Sequence, residues 1–119
     1  MTLLPTTDIA GYPISRLMCG SNPLNGHSHL SPARDRWLNE YFTIDRIVEL
    51  FHGCVEAGIN ALLGSYTDKL ARAINKFWQS VNRDQFHWIA YTHGGNDFIK
   101  ESIKMIADAG AVGLSLIHI

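Results

Sequence analysis

The side chains best suited to chemistry fall in three polar stretches: 21–42, 64–67 and 92–96. His27-Ser28-His29 has the spacing that lets two imidazoles on one extended edge reach a single cation. A solvated or capping loop pair has the same spacing. The expectation is therefore no bound metal, with His27 and His29 as the candidate ligands. His93 could act as a general acid or base, because imidazole titrates near neutrality, or sit as a hydrogen-bonded loop residue before Gly94-Gly95. Tyr66 could donate a proton to substrate or simply cover the rim. His93 and Tyr66 are the catalytic candidates. Asn22 precedes Pro23, which should hold it out of the helical region and fix its amide. Arg34 and Asp35 could clamp an anion, the carboxylate orienting the guanidinium, or remain solvated. Asn22, His29, Arg34 and Asp35 are the substrate-binding candidates. Gly94-Gly95-Asn96 could offer N–H groups to a phosphate or merely turn the chain.

The elements that must carry these groups follow from periodicity. Residues 7–14 predict a tight hairpin around Ala10-Gly11, with Pro13 on an edge, able to plug the bottom of a barrel. Ile14 to Cys19 predicts a strand, followed by the long 21–42 connection with a helical turn around Pro32 to Asn39. Thr43 caps a helix whose stripe is Ile44, Ile47, Val48, Phe51 and Val55, stopped by Gly58. Asn60 to Leu63 is a short strand. Thr67 caps the next helix, striped by Leu70, Ile74, Phe77, Trp78 and Val81. Phe86 to Tyr91 is a strand, and Asn96 caps a helix with Ile99, Ile103 and Ile106, stopped by Gly110. A fourth strand begins at 111–113. Alternating strands and helices with short turns predict an α/β fold of βαβ units on a parallel sheet. Trp37, Trp78 and Trp88 should pack between helices and sheet, while His52 and His87 lie away from the rim.

Composition narrows the function classes. The 119 residues carry ten Lys plus Arg against eleven Asp plus Glu, without a basic cluster, which argues against a nucleic-acid partner. The apolar runs are too short to span a bilayer, and the first residues show no leader, so a cytoplasmic protein with a small-molecule substrate is expected. Cys19 and Cys54 have no metal spacing and read as two buried free thiols.

Gly11-Tyr-Pro-Ile-Ser-Arg-Leu-Met-Cys-Gly-Ser-Asn-Pro-Leu-Asn-Gly26 resembles the opening of aldo/keto reductases, where a hairpin leads into Val-Ser-Arg-Leu-Gly-Leu-Gly-Thr. Ala57-Gly58-Ile59-Asn60 resembles their second-strand entrance, Leu-Gly-Ile-Asn. The likeness covers residues 7 to 66. The chain also looks like uncharacterised bacterial barrel proteins carrying Asn-Pro, Gly, Ser-His and Arg-Asp, here Asn22-Pro23, Gly26, Ser28-His29 and Arg34-Asp35. Both resemblances imply a truncated (β/α)8 TIM barrel with an N-terminal hairpin and about three βα units. The first also implies an oxidoreductase acting on a small carbonyl or carbohydrate-type metabolite, with NADP as the parent's cofactor. Two departures stand out. The position of the reductases' Asp falls on Leu63, and no Lys follows Phe86 to Tyr91, although Tyr66 matches a Tyr after the second strand.

The last six residues, Leu114-Ser-Leu-Ile-His-Ile119, match codon for codon the translation of a transposon-end sequencing adaptor. Residues 1–113 are accordingly expected to be the N-terminal part of one barrel domain and 114–119 an adaptor-derived tail. Such a fragment, with open sheet edges, should be inactive and aggregation-prone. Two other functions compete with the reductase-like one: a metal-assisted hydrolase or isomerase on the same barrel, and a non-catalytic binding barrel.

Overall fold

The hairpin forms because two successive residues take positive φ, Ala10 at 55° and Gly11 at 86°, which suits the twist of a two-residue turn. The Asp8 carboxylate accepts the Gly11 N–H at 2.9 Å. Strands β1 (Thr6–Ile9) and β2 (Tyr12–Ser15) pair antiparallel across it. The computed structural model describes residues 4–92 and 99–116, so His93, Gly94, Gly95 and Asn96 lie outside the described residues.

The predicted strand from Ile14 to Cys19 is divided. Ile14 and Ser15 end β2, the chain bends, and β3 is only Cys19–Gly20. The cause is Ser15, whose hydroxyl donates to the Leu17 carbonyl at 2.7 Å while its N–H is taken by Asn60 Oδ1 at 2.8 Å. Both bonds turn the backbone from the hairpin toward the sheet.

Beyond this bend the long connection holds a 3-10 turn at Pro23–Asn25 and a full helix, α1 (Pro32–Tyr41), longer than the turn anticipated. Ser31 caps α1 by accepting the Arg34 N–H, with proline in the first turn. None of its residues is buried. Trp37 is 52 % exposed, which corrects the expectation that it packs between helix and sheet; it stacks on Tyr41 instead.

Helices α2 (Ile44–Glu56) and α3 (Asp68–Ser80) start where their caps predict. The Thr43 and Thr67 hydroxyls accept the Arg46 and Leu70 N–H groups. Gly58 and Gly110 take φ of 91° and 99° at the ends of α2 and of α4 (Ile99–Asp108), a conformation that glycine adopts without steric cost. In α4, Ile106 is buried but Ile103 is 40 % exposed, so the anticipated stripe reaches the core at one of these two residues. The Ile99 side chain is not among those described.

Strands β3, β4 (Ala61–Ser65), β5 (His87–Thr92) and β6 (Gly113–Leu116) form a parallel sheet in that order. Strand β6 runs into the segment read as an adaptor tail, since an alternating Leu-Ser-Leu can pair as a strand whatever encodes it. The result is a mixed α/β fold with each strand beside its sequence neighbour.

The two sheet faces differ. Leu62, Trp88, Ala90 and Cys19 face α2, α3 and Ile106 of α4. Phe51, Phe77 and Phe86 pack there with ring centroids 4.9 to 5.7 Å apart, in tilted and edge-on arrangements that favour aromatic pairs. The buried Trp88 indole donates to the Gly64 carbonyl at 3.3 Å. On the opposite face Ala61 and Ile89 are covered by Ile14 of the hairpin, with Ile9, Met18 and Leu63 around them.

Candidate functional site

Strand parity decides which side chains reach the open part of the inner face. On β4, Ala61, Leu63 and Ser65 point one way and Leu62 and Gly64 the other. On β5, His87, Ile89 and Tyr91 share the inner side. Hairpin residues cover the amino ends of these strands. At the carboxyl ends, a cleft of about 610 Å³ opens, lined among others by Asn22, Pro23, His29, Leu63, Ser65 and Tyr91.

The segment after β3 forms the other wall. Asn22 sits in the right-handed helical region, at φ −54° and ψ −51°, contrary to the expectation that Pro23 keeps it extended. Its carbonyl accepts the Asn25 and His27 N–H groups at 3.2 and 2.8 Å. Two hydrogen bonds closing the turn offset the steric preference imposed by proline. The Asn22 amide nitrogen lies 3.2 Å from His29 Nε2. With the amide donating, the neutral imidazole carries its proton on Nδ1. His29 itself has φ 60°, a conformation that costs a β-carbon-bearing residue energy and turns its ring back over the cleft.

Three hydrogen-bonded ties hold this wall. Asp35 Oδ1 accepts both the backbone N–H and the hydroxyl of Ser28, at 2.7 and 2.5 Å. These bonds hold the Asp35 carboxyl below the usual carboxylate range. The Thr67 hydroxyl donates to Asn25 Oδ1 at 3.0 Å, joining the loop after β4 to the 3-10 turn. Lys69 reaches the Asn39 carbonyl at 2.9 Å, pinning α3 to α1; partial burial lowers its pKa.

The predicted site residues separate accordingly. Asn22 and His29 come together in the cleft. Asp35 is a loop anchor, and Arg34 lies over the exposed Trp37 ring at 5.8 Å, so the pair does not form a clamp in the cleft. His27 is exposed and outside the cleft lining. Among the described residues no group of three metal-ligating side chains converges. Tyr66 belongs to the helix side, stacked on Trp88 at 6.0 Å with its hydroxyl 3.5 Å from Asp68 Oδ1. His93 lies outside the described residues.

Ser65 falls inside the 64–67 stretch without being singled out there, and Tyr91 lies one residue before the 92–96 stretch. The available signal was the period of two: Leu63 and Ile89 face inward, so Ser65 and Tyr91 must do so as well. Tyr66, one residue on, must face the helices.

Among the described residues, the cleft is lined by amide, hydroxyl and imidazole groups, without Asp, Glu, Lys or Arg. Such a wall can hydrogen-bond carbonyl and hydroxyl groups. No protein-family profile, curated protein or solved structure matches the chain. No described helix is long and apolar enough to cross a membrane.

Proposed function

We propose that the chain is part of the wall of a (β/α)8 barrel from a cytoplasmic enzyme of aldo/keto reductase-like ancestry. Its cleft takes a small neutral metabolite of the carbonyl or carbohydrate type. The observation that carries this reading is the position of the cleft. It lies at the carboxyl ends of parallel strands in sequential order, the end at which barrels and other parallel α/β folds bind ligands. Helices on one face and a hairpin sealing the lower half of the other further support a sheet that curls toward closure.

The uncharged lining favours a neutral ligand, since an anion in a cleft without a cationic side chain gives up hydration without gaining a charged partner. For the same reason the described residues do not fit the phosphates of NADP. Leu63 stands on the inner face where the reductase pattern has Asp, and the Tyr in reach of the cleft is Tyr91, not Tyr66.

The test is a nuclear magnetic resonance titration of the chain with neutral polyols, aldoses and small ketones, with a sugar phosphate in parallel. Shifts confined to Asn22, His29, Ser65 and Tyr91 with the neutral compounds are expected. Shifts only with the phosphate, or only outside the cleft, would refute the assignment.

A further inference from the structure

The turn that leads into β5 places opposite charges around a small cavity far from the cleft. Arg83–Gln85 form a 3-10 turn, closed by the Asn82 side chain accepting the Asp84 N–H at 3.1 Å. Successive side chains of such a turn diverge by about 120°, and among the described residues no ion pair joins Arg83 to Asp84. Both instead line a cavity of about 150 Å³, together with Tyr12, Trp78, Phe86 and His87. It lies at the amino end of β5, about 13 Å along that strand from Tyr91 of the cleft.

The guanidinium is seated before any ligand arrives. It lies over the Trp78 ring at 4.3 Å and donates to the Gly110 carbonyl at 3.2 Å. Glycine makes this seat possible, because a β-carbon at Gly110 would stand 2.1 Å from Arg83 Nη2 and 2.9 Å from the Trp78 ring. The bond to Gly110 uses one N–H of the fork, which keeps further donors for a carboxylate. His87, 4 % exposed, packs its ring on Tyr12 with centroids 4.9 Å apart. Burial holds its pKa below the ordinary imidazole value, so near neutrality Arg83 is the cation of the cavity and Asp84 the anion.

We propose that this cavity is a binding site for a small α-amino acid, its carboxylate on the Arg83 guanidinium and its ammonium on the Asp84 carboxylate. Separated, balanced charges favour a zwitterion over a plain anion, which would meet Asp84, and over a plain amine, which would meet Arg83. Size sets the side chain. A cavity of about 150 Å³ has room for roughly five water-sized groups, which suits glycine or alanine and turns away a branched side chain. The site is independent of the cleft and of what the cleft binds.

The test is a nuclear magnetic resonance titration of the full chain with glycine and alanine, with acetate, ethylamine and leucine in parallel. Saturable shifts of the Trp78 indole, His87 and Gly110 signals with the two small amino acids are expected, with Asn22, Ser65 and Tyr91 unmoved. Acetate, ethylamine and leucine should each bind about tenfold or more weakly, because each lacks one charged contact or does not fit. Equal binding of any of the three would overturn the proposal, as would shifts that never saturate or that fall in the cleft. Arg83→Gln and Asp84→Asn, both at exposed positions, should each weaken alanine binding about tenfold or more. Asp84→Asn leaves the Arg83 seat on Gly110 intact, so it decides the matter even where Arg83→Gln disturbs the turn; unchanged alanine binding by Asp84→Asn would refute the assignment.

Discussion

At the amino ends of β4 and β5 the inner sheet face is sealed: Ile14 of the hairpin covers Ala61 and Ile89. The polar groups there are all engaged. Asn60, 4 % exposed, accepts the Ser15 N–H at 2.8 Å, donates its side-chain amide to the Pro13 carbonyl at 2.7 Å, and donates its backbone N–H to the Ser15 hydroxyl oxygen at 3.1 Å. Further along the same strands, Leu63, Ser65 and Tyr91 open into the cleft facing Asn22 and His29. One end uses buried polar groups to fasten elements together, and the other places polar groups along an open cleft. The difference shows that an amide's role is set by what covers it. Asn60 and Asn22 have the same chemistry and opposite duties.

The comparison breaks most sharply at Asn60. Asn60→Ala leaves the Ser15 N–H buried without its partner, at about 1–3 kcal/mol, and also removes the part-buried bond to the Pro13 carbonyl. Urea unfolding should show a loss of about 2–3 kcal/mol with the hairpin loosened; a loss below about 1 kcal/mol would mean the lower end is not held by this network.

A smaller effect is expected between the two ends. A β-carbon on Gly64 would lie 2.2 Å from Ser21 Oγ and 2.4 Å from its Cβ. Gly64→Ala should cost about 1–3 kcal/mol by overpacking, and adding Ser21→Gly should recover part of it in a double-mutant cycle. Simple additivity would show that the contact is not the cause.

Acid should separate the ends by position. Burial pushes His87, at the lower end beside Tyr12, below the usual imidazole pKa. The unfolded chain thus takes up the proton first, so this contribution is present above the ordinary imidazole pKa and lost as pH falls below it. Asp35, held low by Ser28, contributes above the ordinary carboxylate pKa and loses its contribution as pH falls through its folded value. Thermal melting against pH should register the first, and amide signals of 27–31 the second. His87→Gln should remove the higher-pH step and leave the lower one.

The smallest stability change belongs to the rim. Asn22→Ala, at an exposed position, should alter stability by about 0.5 kcal/mol or less while weakening any ligand that the cleft binds. A large destabilisation without loss of binding would make Asn22 a structural residue like Asn60.

Much of the scaffold was legible because it is local. Thr43 and Thr67 cap the apolar stripes of α2 and α3, and Gly58 and Gly110 follow those of α2 and α4, so these helix ends are fixed by residues close together in sequence. The hairpin was legible from Ala10-Gly11. Less of the site could be read. Asn22 and His29 were named, but Arg34 and Asp35 were placed in the site on residue type alone, and Asp35 is spent on Ser28. Ser65 and Tyr91 required parity to be carried to the strand ends.

What the sequence determined by itself was the alternation of strands and helices, because hydrogen bonds in caps and turns and the periodicity of burial act over a few residues. The tertiary structure alone decided that Ser15 meets Asn60 and Ser21 meets Gly64. These contacts depend on how strands register and helices dock, and no short-range pattern records which distant pairs that docking brings together.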